Sequence, residues 1–217
     1  MDFGKSFSYI FDDPDWFNKV IIPILFGLIP VIGWFVITGY SLRTTRNVTE
    51  QVEHPLPVCD FSKDLGKGFK FFLITLIYAV LAVVIGGLIY RVVGVLEDNP
   101  GYWLAIIGLV VFVIIFAVYI LFLTLVMPAV QANYAVKGTF ASAFAFKDLF
   151  KMLGNRIGAW LWVVLGGLLA GLIAPLGVVA CVIGVFLTSM YAELIVAHLR
   201  GQAYYLSQPE VVIETPV

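Results

Sequence analysis

Residues 157–199 read IGAWLWVVLGGLLAGLIAPLGVVACVIGVFLTSMYAELIVAHL. As one helix at 1.5 Å per residue this run would be about 65 Å long, twice the roughly 30 Å of bilayer hydrocarbon. It therefore has to turn back on itself. Ala174-Pro175-Leu176-Gly177 is the place, because proline starts a helix well and glycine relieves the corner before it. Two apolar segments result, Ile157–Ile173 and Leu176–Leu199.

Three further segments of the same character precede them, Val20–Tyr40, Phe69–Val95 and Trp103–Val126. With 61% apolar and 12% charged residues, the 217-residue chain lacks the polar surface of a soluble globule. The expected fold is all-α, a polytopic membrane helix bundle of four to five transmembrane segments forming one membrane domain over 1–217. Residues 1–19 form an N-terminal interfacial segment, 20–40 a broken first segment and 200–217 a tail. Met1–Lys19 carries Asp2, Asp12, Asp13 and Asp15, with no basic n-region and no small-residue cleavage site after the first apolar run. That run is expected to stay in the mature chain. Cys59 and Cys181 fall at different depths, which argues against a disulfide, and neither has a metal-ligand neighbour. A formal net charge of −1 argues against nucleic acid as a partner.

Positive charge marks the cytoplasmic side of membrane proteins. Arg43, Arg46, Lys63, Lys67 and Lys70 lie between segments one and two, Lys137, Lys147, Lys151 and Arg156 between three and four, and Arg200 follows segment five. The loop Leu96–Tyr102 holds Glu97 and Asp98 and no basic residue, and the Pro175 turn is uncharged. Both loops are expected outside, and the C-terminus inside. The first segment is interrupted by Pro23, Gly27, Pro30 and Gly33. It either crosses once, leaving the N-terminus outside, or re-enters as a broken half-helix pair, leaving it inside.

An internal duplication is visible. Lys63-Asp64-Leu65-Gly66-Lys67 is echoed by Lys147-Asp148-Leu149-Phe150-Lys151, and Met127, Ala129, Lys137 and Gly138 recur with identical spacing as Met190, Ala192, Arg200 and Gly201. Tyr40-Ser41-Leu42-Arg43 is a fainter echo of Tyr134-Ala135-Val136-Lys137. Two same-orientation repeats are expected, 61–126 and 143–199, each an amphipathic interfacial helix followed by a hairpin. The interfacial stretches Phe61–Phe72 and Ala143–Leu153 interleave lysine with Phe and Leu, as suits an anionic inner leaflet.

Trp16 and Lys19 before a proline- and glycine-broken apolar run, Gly39-Tyr40 with Arg43 and Arg46, Leu56-Pro57 with Asp60 and Phe61, and Gly68 carry a further signal. Together they resemble the domain-of-unknown-function 4013 family of prokaryotic integral membrane proteins. Where members often have tryptophan after the Leu-Pro pair, this chain has Val58-Cys59. The resemblance implies a bacterial or archaeal plasma membrane and says nothing about activity or substrate.

Glu193 is the most deeply placed carboxylate, seven residues before Arg200, and an acid there must be paired or wet. It reads either as a proton or cation site or as an interfacial residue pairing with Arg43, Arg46 or the polar stretch Gln131–Asn133. His54 lies in the loop before Pro55-Leu56-Pro57, and His198 reads as a boundary residue, more simply a headgroup contact than an axial ligand. Gly166, Ala170 and Ala174 are spaced four apart, as are Gly167 and Gly171, and Ala180 and Gly184. Small residues at this spacing let helices approach closely, within the chain or against another subunit. No phosphate loop, dinucleotide fingerprint, nucleophile elbow or paired-histidine motif occurs, so no enzyme activity, cofactor or metal is expected. The leading functional expectation is a non-catalytic accessory or scaffold subunit among other membrane protein subunits. The alternative is a small-solute or ion transporter or channel acting as a homo-oligomer.

Overall fold

Asp60 opens the longest helix of the chain. Its carboxylate accepts the Lys63 N–H at 3.1 Å, while Asp64 reaches back to accept the Asp60 N–H at 2.9 Å. This reciprocal cap satisfies N–H groups that a helix start leaves open. The computed structural model describes residues 1–98 and 103–208, with side chains described except at 95–98, 103–105 and 179–183. Every regular element among them is helical. In order they are α1 (Lys5–Ser8), α2 (Trp16–Gly27), α3 (Ile32–Thr49), α4 (Phe61–Asp98), α5 (Trp103–Lys137), a 3-10 turn (Phe140–Phe144), α6 (Phe146–Asn155), α7 (Ile157–Ile173), a second 3-10 stretch (Ala174–Ala180) and α8 (Cys181–Ser207).

The broken first segment is a helical hairpin. α2 holds 12 residues, about 18 Å, roughly half the hydrocarbon thickness. The chain turns over Leu28–Val31, where Val31 takes a left-handed φ of 64° that a β-branched residue rarely adopts. Gly33 then lies against the backbone of Phe26 and Gly27, too close for any side chain. Val20 and Ile24 of α2 share a buried cluster with Tyr40 of α3, two turns up the returning arm. Of the two alternatives the sequence leaves open, the half-helix pair is the one the geometry matches.

α3 and α4 pack backbone to backbone. Gly39 meets the Asp64 backbone and Gly68 meets that of Phe35, so each helix contributes one glycine to the crossing. Just beyond it, Arg43 donates from Nη1 to both carboxylate oxygens of Asp64 at 3.0 and 3.1 Å. The α7–α8 turn is equally tight. Gly177 lies against Gly184 and Thr188, whose hydroxyl donates to the Ala174 carbonyl at 2.6 Å.

Among the described residues, three helical stretches are long and apolar enough to cross a bilayer, Phe61–Gly94, Ile106–Lys137 and Ile157–Val178. They cover the expected second, third and fourth segments and make this a membrane protein by length and composition. In the expected fifth segment, Leu176–Leu199, residues 179–183 lie outside those whose side chains are described, and the set above does not cover it. One expectation is corrected. Phe61–Phe72 is not a separate interfacial helix but the first three turns of α4, because nothing between Phe61 and Asp98 stops the helix. The second such stretch is interrupted, with Gly154 and Asn155 ending α6 and Arg156 leaving helical geometry before α7.

Residues 1–15 lie along the C-terminal half of α8. The Asp2 N–H donates to Gln202 at 2.7 Å, the Tyr9 hydroxyl to the Leu194 carbonyl at 3.0 Å, and Tyr191 to the Phe7 carbonyl at 2.9 Å. The same end of the bundle holds the Arg43–Asp64 pair, and the Lys137–Asp148 pair at 2.8 Å. At this end α4 meets α5 through Tyr134 and Lys67, and α6 meets α8 through Asn155 and Ser207. Glu97 and Asp98 lie outside the residues whose side chains are described.

Candidate functional site

Ser41, Thr45 and Thr49 are spaced four apart along α3, so their hydroxyls line one stripe. α8 runs parallel beside it. Ser41 donates to Glu193 Oε1 at 2.6 Å, Thr45 to the Ala197 carbonyl at 3.2 Å and Thr49 to the Gly201 carbonyl at 3.3 Å. Gly201 allows the approach, since a side chain there would meet Val48 and the Thr45 carbonyl. The ladder holds α8 in register on α3, and Glu193 forms its innermost rung.

Arg200 completes that rung. It is seven residues, two turns, after Glu193 and therefore on the same face. Its Nη2 donates to Glu193 Oε1 at 2.6 Å and to Ser41 Oγ at 3.2 Å, and its Nε donates to the Val196 carbonyl at 3.1 Å. The guanidinium is 2% exposed, whereas the carboxylate is 34% exposed. Arg200 thus sits behind Glu193, and the carboxylate faces outward from the pair.

It faces a cavity of about 710 Å³ between the α2–α3 turn and helices α3, α4, α5 and α8. Polar groups gather at its inner end, where Glu193, Gln131, Ser189 and Thr38 line the wall. The outer end is apolar, with Leu28, Ile29, Pro30, Val31, Val185 and Phe186. Thr38 and Thr75 donate to their own helices, at Trp34 and Phe71. Glu193 Oε2, the Gln131 amide and the Ser189 hydroxyl have no hydrogen-bond partner among the described residues, and all three side chains are half-buried. A concave, mostly apolar site with a few convergent polar groups has the form of a small-molecule site.

The structure takes Arg43 and Arg46 elsewhere. Arg43 pairs with Asp64, whose side chain is fully buried, and Arg46 pairs with Glu50 on the exposed face of α3 at 2.7 Å. The small-residue positions divide between packed and open. Gly166 meets Leu199 and Phe3, Ala170 is buried, the Ala174 carbonyl takes the Thr188 hydroxyl, and Gly184 lies under Gly177. Gly167 and Gly171 have open space beside them. Ala180 lies outside the residues whose side chains are described.

His198 is buried, stacked on Tyr9 at 4.2 Å between ring centroids, with Nδ1 2.9 Å from both the Ser6 hydroxyl and the Gln202 amide. With His54 it lines a second cavity of about 630 Å³ at the polar end, among Asp2, Lys5, Asp12 and Glu53. Among the described residues no group of three or more His, Cys, Asp or Glu side chains is arranged to hold a metal ion. Two carboxylates at this end, Asp13 and Asp148, are held below their ordinary range. Burial would raise Asp13, but the Lys19 ammonium at 2.7 Å and the Asp15 N–H outweigh it and keep it below its ordinary range. The hydrogen bond and charge of Lys137 lower Asp148 in the same way. Cys59 goes the opposite way, its thiol pushed up to about 11 by burial and by the charge of Asp64.

Sequence reasoning singled out Glu193 by depth but missed Arg200 as its partner, although the seven-residue spacing was the available signal. Gln131 belongs to the polar stretch that the sequence offered to Glu193, and it lines the same cavity, whereas Ser41 and Ser189 had no signal in the sequence. Residues 22–189 match the family model DUF4013, described as a protein of unknown function. No curated protein and no solved structure matches the chain.

Proposed function

The chain belongs to the DUF4013 family, and from its own geometry we propose that it binds a small solute within the membrane and moves it, as a non-catalytic transporter. The cavity that ends on Glu193 supports this reading. It lies where a broken helix pair interrupts the first segment, and discontinuous helices are where transporters place substrate sites. The break puts non-helical backbone at Leu28–Val31 beside a cavity, the setting in which such backbone is tolerated at membrane depth.

The same proposal orients the chain in a prokaryotic plasma membrane, multi-pass, with the basic end and the C-terminus cytoplasmic, since Arg43, Arg46, Lys63, Lys67, Lys137, Lys147, Lys151 and Arg156 would face the anionic inner leaflet. α6 is suited to that surface. It buries Leu149, Met152 and Leu153 and exposes Lys147, Phe150 and Lys151. The internal duplication gains support from two ion pairs in corresponding places. Arg43–Asp64 and Lys137–Asp148 each tie the basic end of one helix to the Asp of the Lys-Asp-Leu motif that follows.

The accessory-subunit reading rests on a different observation. Leu76, Val80, Val83 and Val84 of α4 and Ile107, Val110, Ile114 and Val118 of α5 are exposed all around the outer half of that hairpin. Lipid covers such a surface, and so would another membrane subunit. One purification separates the two readings. The full chain is taken from its native membrane in mild detergent and weighed by native mass spectrometry, with wild type beside Ser189→Trp, which fills the cavity. A small molecule that accompanies a monomer or homo-oligomer and is lost from the variant is the expected result. A stoichiometric second protein, with no small molecule, would favour the accessory subunit instead.

A further inference from the structure

The cavity is polarised along three of the four helices that line it, α3, α5 and α8. From Val185 to Glu193 on α8 is about 12 Å of helix rise, running from an apolar to an acidic residue. α5 shows the same gradient over one turn, from Met127 to Gln131. α3 repeats it, from Trp34 and Ile37 to Thr38 and then to Ser41, which holds the carboxylate. The polar end therefore lies toward the basic end of the bundle, and the apolar end toward the α2–α3 turn. At that turn Leu28, Ile29, Val31 and Trp34 both line the cavity and remain exposed on the outer surface. The apolar end is open to whatever surrounds the protein, and for a membrane helix bundle that is lipid chain.

Charge decides what the polar end would accept. Among the described residues that line the cavity, Glu193 is the one acidic side chain and none is basic. Arg200 is spent behind it on Oε1, Ser41 and the Val196 carbonyl, and Arg43 is held by Asp64. An anionic head group would meet a carboxylate and no cation. A head group that donates hydrogen bonds and carries positive charge would find Glu193 Oε2, the Gln131 amide oxygen and the Ser189 hydroxyl, with a charge-assisted bond to the first.

We propose that this cavity takes a single-chain amphiphile with a protonated primary amine as its head, the ammonium on Glu193 Oε2 and the aliphatic chain running past Ser189 and Phe186 to leave between Val31 and Trp34. The proposal rests on the binding reading above and names the class of ligand. Glu193 supplies the charge, Gln131 and Ser189 the remaining hydrogen bonds, and the α2–α3 turn the chain exit.

The test uses the full chain in phosphatidylcholine nanodiscs, with dodecylammonium, dodecyl sulfate and methylammonium as probes. Trp34 reports occupancy by its fluorescence, and Trp34→Phe corrects for the other tryptophans. Saturable binding of dodecylammonium, at least tenfold tighter than either other probe, is expected. Glu193→Gln should weaken it at least tenfold, and Ser189→Trp, which leaves the Glu193–Arg200 pair in place, should abolish it. Equal binding of dodecyl sulfate, or no loss in Glu193→Gln, overturns the assignment of the head group. Methylammonium binding as tightly as dodecylammonium overturns the amphiphile and leaves a small-solute site. If no probe saturates, this proposal fails, while the small molecule sought in the native-mass experiment separately decides the binding reading. Should Glu193→Gln not fold, Ser189→Trp and Thr38→Phe carry the test, since either blocks the cavity without touching an ion pair.

Discussion

Arg200 is the residue on which the site most depends. Its guanidinium is almost fully buried and makes hydrogen bonds to Glu193, Ser41 and a carbonyl of its own helix. Breaking a buried pair by removing one partner leaves an uncompensated charge, which costs about 3–5 kcal/mol where both partners are buried. Glu193 is one-third exposed, so Arg200→Met should lose less, about 2 kcal/mol, in reversible unfolding in mixed micelles. Replacing the pair together, Arg200→Met with Glu193→Leu, should recover most of it. A double variant no better than the single would show that Glu193 draws little from Arg200. Cys59 makes a second residue-level prediction. With its thiol raised to about 11 by burial and Asp64, it stays protonated near neutral pH. Maleimide labelling of Cys59 in a Cys181→Ala background should therefore be slow at pH 8 and quicken about tenfold per unit up to pH 10. A rate already flat above pH 9 would contradict a raised pKa. At this scale the sequence was half legible. An acid two turns before an arginine on one helix face can be read as a pair, but Ser41 lies 152 positions away in sequence, and only the α3–α8 register brings it there.

Among the elements, the α3–α4 crossing sets the frame. Gly39 and Gly68 each lie against the other helix's backbone, where any side chain would clash, whereas Gly66, between them in sequence on α4, has open space. Backbone cannot give way as a flexible side chain does. Gly39→Ala and Gly68→Ala should each destabilise by about 1–3 kcal/mol, the cost of forced overpacking, while Gly66→Ala should be neutral or slightly stabilising because alanine is the better helix former. Equal stability of all three variants in the same unfolding assay would mean that the crossing is not tight. Helix positions were legible from hydropathy, since the α4 and α5 spans are runs of apolar residues bounded by charge and the α7 span is one bounded by Arg156 and the Pro175 turn. The merger of Phe61–Phe72 into α4 was not. Its lysine and phenylalanine pattern is that of an interfacial helix, but periodicity records which face is wet and carries no signal for whether the helix stops. Gly154-Asn155 supplied that signal in the second unit, and the first unit has no equivalent before its apolar run.

At the scale of the whole molecule, the first segment decides the topology. Proline and glycine at positions 23, 27, 30 and 33 announced a break, yet a kinked crossing and a hairpin use the same breakers. What separates them is tertiary: Val20 and Ile24 packed with Tyr40, and residues 1–15 laid along the end of α8 through Asp2–Gln202, Tyr9–Leu194 and Ser6–His198. A hairpin that returns to its own side leaves the N-terminus beside the C-terminal turns of α8. In the proposed orientation both are cytoplasmic, so a compartment-sensitive reporter fused at either end should read the same side, and one inserted at the Pro175 turn the opposite side. Moving charge should not easily change this. Adding two lysines after Asp2 should leave the N-terminus in place, because the positive-inside bias would then reinforce the hairpin, whereas a single crossing with its N-terminus outside would be forced to invert or lose insertion. Reporters that read opposite sides at the two ends would break the hairpin, and with it the placement of a cavity at the α2–α3 turn within the membrane.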